Sequence, residues 1–416
     1  MLKKIRVEDV RLGMHIKEFC GSWMDHPFWR GQFVVSDPAD LDKILSSKVR
    51  EVLIDVSLGL DVASPSGAAA NPSATPDAEA MADVVMYDRH APPAAVQQRV
   101  SSSKEFARAA AICRQATSAV TSMFQEARMG RAVDTHVARQ VVQEISDSVS
   151  RNGTALISLA RLKTADEYTY MHSVAVCALM VSLARQLKLD DADTRSAGLA
   201  GLLHDVGKMA VPMDVLNKPG KLTDEEFGLV KRHPQEGWRI LTASGTQDAG
   251  ALDVCLHHHE KTSGTGYPKG LKDAQISRIA KMGAVCDVYD AITSNRPYKQ
   301  GWDPAQSLKQ MASWVSGHFD PQVFQAFVSS LGIYPTGSLV LLDNQKLAVV
   351  TDQSSESLLK PMVKVFFSVR SGQRIPPETI NLASPTCRQK IIGREDPDKW
   401  KFPDLDELWS GLPPSR

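Results

Sequence analysis

Nothing in the sequence pairs cysteines. The six present (Cys20, Cys113, Cys177, Cys255, Cys286 and Cys387) are scattered through 416 residues with no CxxC spacing. Cys113, Cys177 and Cys286 sit in apolar, helix-like runs, where a free thiol behaves as a small hydrophobe. That pattern argues against a disulfide framework and fits a reducing cytosol. An excess of one charge is also missing, because 48 Lys and Arg balance 48 Asp and Glu. With no global field, bulk electrostatic binding to duplex nucleic acid or to an anionic membrane is not expected, although a local basic pocket is compatible. The longest apolar run, residues 174–184, is interrupted by Ser182 and is too short to span a bilayer, so no membrane insertion is expected. The opening MLKKIRVEDVRLGMHIKE has early lysines but no apolar core, which predicts no signal peptide and a cytoplasmic protein.

What is present is ordinary for a globular chain: 43% hydrophobic and 23% charged residues, with length enough for two or three domains. Residues 1–61 read as a small β-rich α+β domain, with candidate strands MHIKEF, QFVV and EVLID and a short helix from Pro38 to Leu45. Residues 62–98 are rich in Ala, Pro and Ser and nearly free of large apolar side chains, as a linker is. Residues 99–150 read as connecting helices and 151–335 as a helical domain. The tail, 336–416, is β-rich, with SLVLL, LAVVTD and MVKVFFS as strands. Apolar residues recur at helical spacing over 104–128, 134–151 and 167–187. The expected fold class is mainly α, and no internal repeat is visible.

The chemistry is carried by histidines. Of eleven, six fall between positions 172 and 259: His172, His204, His233, His257, His258 and His259. His172 shares a helical stripe with Val176, Leu179 and Leu183, which is a core-facing stripe. His204 and Asp205 end the helix RSAGLAGLLHD, with Gly207 placed to stop it. His233 precedes Pro234 at a helix boundary, and His258 and His259 close a short helix before Glu260. Asp287 lies on RIAKMGAVCDVYDAI, where Gly283, four residues earlier on the same face, leaves room for something bulky. Imidazoles and carboxylates converging from five helices suit divalent first-row metals, and the absence of thiolates makes a structural zinc site a poor fit. Taken singly, each residue has a plainer explanation. A lone helical histidine is ordinarily a satisfied core residue, and His15, His26, His90, His136 and His318 are read that way. The physics of the pattern supports a dinuclear metal site in a helical domain.

The ordered set DEYTYMHS, LLHDVGKMAVP, LNKPGKLTDEE, VKRHPQEG, HHHEKTSGTGYP and CDVYDAITSNRPYK resembles an HD-GYP domain, a branch of the HD metal-hydrolase superfamily, over residues 165–335. Residues 1–60 resemble the small N-terminal domain of unknown role often joined to such enzymes. The resemblance implies a phosphodiesterase that hydrolyses cyclic di-GMP to linear pGpG, or on to GMP. It implies as metal ligands His172, His204, Asp205, His233, His258, His259 and Asp287, with Asp205 bridging two divalent ions, iron or manganese. The pair next to Glu260 is chosen from the histidine triplet because the family motif reads HHE. Lys208 would reach a phosphate oxygen or protonate the leaving group; alone, it is equally a helix-end lysine favoured by the dipole. Arg296 and Lys299 would contact phosphate or a guanine edge, with Asp290 as an alternative partner for Arg296. Tyr267, in the Gly264–Pro268 loop, would lie against the site. Two rival readings stay open: an adaptor that binds diguanylate cyclases through the GYP surface, and another HD-type nucleotide phosphohydrolase. The sequence permits a homodimer without requiring one.

Two positions depart from the family. Where trinuclear relatives carry a third-metal glutamate, one turn before the first histidine, this chain has Tyr168, and Glu167 is about 100° round the helix. Two metals are therefore expected. Ser263 stands where an aspartate is common, which bears on the rigidity of the GYP loop rather than on metal binding.

Overall fold

In a computed structural model of the chain, the residues described are 2–20, 33–36, 38–45, 51–60, 102–162, 168–218, 220–294, 301–354 and 356–412. The stretch read as a linker, 62–98, lies outside them. The chain divides into two compact units, Met1–Ala74 and Thr75–Arg416.

The first unit contains β1 (Leu2–Arg6), β2 (His15–Cys20), β3 (Phe33–Val34), α1 (Pro38–Leu45) and β4 (Glu51–Asp55). Its antiparallel sheet runs β1-β4-β2-β3. Strand alternation sends Val52 and Ile54 of β4 into a core with Ile5, Met14, Ile16, Val35 and Ile44 of α1. β1 was not among the expected strands. LKKIR supplies only Ile5 to that core, too little for a period to be read.

The second unit begins with α2 (Ser102–Arg128), α3 (Thr135–Arg151), α4 (Ala155–Ala160), α5 (Tyr168–Gln186) and α6 (Asp191–Leu203). It continues through α7 (Met213–Leu216), α8 (Asp224–Val230), α9 (His233–Ala243), α10 (Ala249–His257), α11 (Arg278–Thr293), α12 (Pro304–Trp314) and α13 (Pro321–Leu331). Asp134, Asp190, Asp248, Ser277, Asp303 and Asp320 cap helix starts by accepting backbone N–H bonds. The apolar run 174–184 is the middle of α5, buried on every side, so it is a central core helix. No helix among the described residues is long and apolar enough to cross a membrane.

The tail forms β5 (Leu339–Leu342), β6 (Lys346–Asp352), β7 (Met362–Ser368), β8 (Gln373–Asn381) and β9 (Ile391–Arg394), followed by α14 (Pro397–Trp400) and α15 (Leu405–Ser410). The antiparallel order is β8-β7-β6-β5-β9. Leu339, Leu347, Val349, Phe366 and Trp409 pack with Phe106 of α2 and Ala155 of α4, so the tail shares a core with the helices. β8 was not among the expected strands, and it carries Pro376 and Pro377, which lack N–H donors. It is an edge strand, where missing N–H donors are tolerated.

Candidate metal centre

Five helices deliver the site. His172 comes from α5, His204 caps the C-terminus of α6, and Asp205 starts the 3-10 turn Val206–Ala210. His233 opens α9, His258 caps α10 with His259 following, and Asp287 lies on α11. Gly207 does not stop α6, which has already ended at Leu203. Its role is close approach: a Cβ there would sit 1.9 Å from the carbonyl oxygen of His233 and 2.3 Å from the nitrogen of Gly237. Gly207 thus lets the Asp205 turn press against the start of α9. Gly283 does the same for α10, since a Cβ there would meet Val254 Cγ1 at 2.6 Å and His258 Cβ at 3.6 Å. The bulky neighbour expected at Gly283 is this helix.

Each imidazole is oriented by what its outer nitrogen meets. His204 Nδ1–H donates to Gly201 O at 2.8 Å, His233 Nδ1–H to Val230 O at 2.8 Å and His258 Nδ1–H to Val254 O at 2.9 Å. A carbonyl only accepts, so these three Nδ1 atoms carry the proton and the Nε2 lone pairs face inward. His172 Nδ1–H donates to Asp290 Oδ2 at 2.5 Å. Such partners set the tautomer and raise the basicity of the inner nitrogen.

The inner nitrogens divide around one carboxylate. His172 and His204 Nε2 lie 3.5 and 3.3 Å from Asp205 Oδ2, while His233 and His258 Nε2 lie 3.2 and 3.9 Å from Asp205 Oδ1. Asp287 completes each side: Oδ1 is 3.0 Å from His172 Nε2 and Oδ2 is 3.8 Å from His259 Nδ1. Three groups have donor atoms close enough to hold one ion: His172, His204 and Asp287; His233, His258 and His259; and His204, Asp205 and His258, which joins the other two. Asp205 stands between the first two. His257 is turned away, its Nδ1 2.7 Å from Asp253 Oδ1.

Protonation favours a cation at His233, His258, His259, Asp205 and Asp287. Burial holds His233 down to about 4 and His258 down to about 3, and pushes His259 well below its usual value. His204 goes the other way, raised by adjacent Asp205 in spite of its own burial. Burial opposes ionisation of Asp205 and Asp287, yet both are held well below the usual carboxylate range, Asp205 by Lys208 and His204 and Asp287 by His172 and His259. The fit to a metal is visible in what lacks a partner. His204 Nε2 and Asp205 Oδ1 are buried without a hydrogen bond, and His233 and His258 point Nε2 atoms at each other across 3.3 Å. Two inward lone pairs repel unless a cation lies beside them.

The remaining candidates are placed unequally. Lys208 Nζ rests on Asp205 Oδ2 at 2.5 Å, partly exposed. The Tyr267 ring stacks on His259, centroids 4.7 Å apart at 28°, and burial pushes its phenol well above the usual value. Arg296, Lys299 and Glu167 lie outside the described residues, as does the side chain of Tyr168. Ser263 is tied down, its N–H donating to Gly317 O at 3.0 Å and its hydroxyl bonding that of Thr265 at 2.9 Å. His318 stacks on Phe319 and belongs to none of the candidate metal groups among the described residues.

Two residues escaped the sequence reading. Asp290 was considered only as a partner for Arg296, yet it orients His172; its one-turn spacing from Asp287 was the available signal. Glu260 served only to set the register of the triplet. It is buried, and its carboxylate accepts the N–H groups of Lys269 (2.7 Å) and Leu271 (2.9 Å), clamping the chain that follows Tyr267.

The chain is similar to known proteins along its length. Residues 2–138 match a domain of unknown function (DUF3391), and residues 145–323 match the HD domain. A cyclic di-GMP phosphodiesterase of Pseudomonas aeruginosa is 55% identical over 413 residues, covering 99% of this chain and 96% of its own. The response regulator RpfG of Xanthomonas campestris, also a cyclic di-GMP phosphodiesterase, is 38% identical over 179 residues, 41% of this chain and 47% of that protein. A solved HDG"Y"P protein of Bdellovibrio bacteriovorus aligns at 18% identity and a TM-score of 0.46, over 79% of this chain and 99% of that one. With a relative this similar along its whole length, the chain belongs to the HD-GYP family of HD-domain proteins, in the branch that carries DUF3391 at its N-terminus.

Proposed function

We propose that this protein is a metal-dependent phosphodiesterase that hydrolyses cyclic di-GMP to linear pGpG. The observation that carries the reading is Asp205, whose two oxygens each face a separate pair of histidine nitrogens. His172, His204 and Asp287 would hold one ion, and His233, His258 and His259 the other, with Asp205 shared. Two divalent ions held there, iron or manganese, would supply a nucleophile at neutral pH and neutralise charge on the attacked phosphate. Neutral His233, His258 and His259 and ionised Asp205 and Asp287 are ready to ligate without first losing protons.

The chain's own groups do the rest. Lys208, whose Nζ lies 2.5 Å from Asp205 Oδ2, would reach the phosphate or give its proton to the departing ribose oxygen. Tyr267 keeps its proton, so it serves as a hydrogen-bond donor and a flat wall beside His259. Arg296 and Lys299 contribute phosphate or guanine contacts. With a tyrosine where a third-metal glutamate would stand, the protein takes two ions. The full-length homology to a cyclic di-GMP phosphodiesterase supports this substrate. The test is to purify the protein anaerobically, measure its metals, and follow cyclic di-GMP by chromatography. Two metals per chain and appearance of pGpG are expected. A protein that binds metal yet leaves the dinucleotide intact would overturn the assignment.

A further inference from the structure

Two residues before His233, the chain presents a cation that no part of the proposed mechanism uses. Lys231 caps the C-terminus of α8 and its N–H donates to Phe227 O at 2.9 Å. That places the two side chains one turn apart on the same face. The Lys231 ammonium lies 4.6 Å from the centroid of the Phe227 ring and 5.6 Å from that of Tyr267. Tyr267 in turn stacks on His259, so the ammonium is two contacts from the candidate metal centre. Within one turn of chain, His233 points into the cluster and Lys231 lies along its outer wall.

The charge is exposed, and among the described residues it forms no ion pair. Glu226, five residues earlier, pairs with Lys218 at 2.7 Å, and Glu236, five residues later, pairs with Arg239 at 2.7 Å. Two aromatic faces hold the ammonium in place, at a cost in side-chain freedom, without supplying a neutralising charge. A cation positioned in this way beside a phosphodiester site is suited to an anion brought by the ligand. Cyclic di-GMP carries two phosphodiesters in one ring. Only one can be cut at a time, and the other keeps its negative charge outside the cluster.

We propose that Lys231, held by Phe227 and Tyr267, is a substrate-binding residue that takes the phosphate not being cut. The proposal rests on the phosphodiesterase reading above. A contact to the uncut phosphate is made equally in ground state and transition state, so its loss raises KM and leaves kcat alone. A charge-assisted bond at an exposed position is worth about tenfold.

The experiment compares unmodified protein with Lys231→Met and Lys231→Arg on three substrates: cyclic di-GMP, cyclic di-AMP, and bis(p-nitrophenyl) phosphate, which has a single phosphodiester. Lys231→Met should raise KM about tenfold for cyclic di-GMP, and by the same factor for cyclic di-AMP, with kcat within twofold and metal content unchanged. Lys231→Arg should restore most of the loss, and bis(p-nitrophenyl) phosphate should be cut at the same kcat/KM by every form. A KM for cyclic di-GMP indifferent to Lys231→Met overturns the subsite alone. So does a rise confined to cyclic di-GMP, which would make Lys231 a reader of the base, or an equal loss on all three substrates. Failure of the unmodified protein to cut cyclic di-GMP overturns the functional reading and this subsite with it.

Discussion

Asp290 offers the sharpest test of how the site is built. It is buried at 3% exposure, accepts His172 Nδ1–H at 2.5 Å, and accepts the Ser294 hydroxyl at 3.2 Å. Asp290→Ala removes both hydrogen bonds, each to a charged acceptor and worth ~1.5–3 kcal/mol. It also enlarges the small cavity lined by Asp290, Arg161 and Tyr289, so the protein should lose several degrees of melting temperature. Asp290→Asn separates charge from shape. It keeps an acceptor oxygen within reach of His172 and fills the same volume, so the fold should hold. The charge that makes His172 a better donor of electrons is gone. Removing an outer partner of a ligating histidine typically weakens metal binding by ~10–100-fold, equivalent to ~1.4–2.8 kcal/mol. Calorimetric titration of manganese into the metal-free Asn variant, beside thermal melts of both variants, reads the two effects apart. Wild-type affinity in Asp290→Asn together with a large melting loss in Asp290→Ala would reduce Asp290 to a packing role and refute the reasoning.

Asp205→Ala should strip both metals and abolish hydrolysis while circular dichroism stays helical, because both halves of the cluster lose their common carboxylate; retention of two metals and most activity would mean the ligands are wrongly assigned. Lys208→Ala should keep its metals and lose ~10²–10⁴-fold in kcat, measured by single-turnover kinetics; an unchanged rate returns Lys208 to a helix-end charge. His233 and His258 have folded values of about 4 and about 3, below the ordinary histidine value, so below pH ~6.5 the unfolded chain binds more protons than the folded one. Stability of the chelator-treated protein should therefore fall as pH drops from about 6.5 toward 4, with His204, shifted upward, opposing part of the loss. A melting temperature flat over that range would contradict neutral buried imidazoles.

The helices and most of the candidate donors are legible in the sequence because their signals are local. Helical periodicity places 104–128, 134–151 and 167–187 within a few residues of α2, α3 and α5. The histidines and aspartates are unusual enough in type and order to be singled out before any fold is known. β1, β8 and β9 were not legible, because each depends on a neighbour: Ile5 needs the sheet to give it a core, and the prolines of β8 are tolerated only at an edge. The triplet at 257–259 could be parsed only by analogy. In three dimensions the end of α10 turns His257 to Asp253 and the next two residues inward. The sequence by itself determined which donor types are present and in what order along the chain, since composition and short-range spacing are properties of the chain alone. Only the tertiary structure decided that Asp205 stands between two sets of imidazoles, that Asp290 and Glu260 act from behind, and that Lys231 lines the wall. Those relations join residues up to 118 positions apart, and no local period records them.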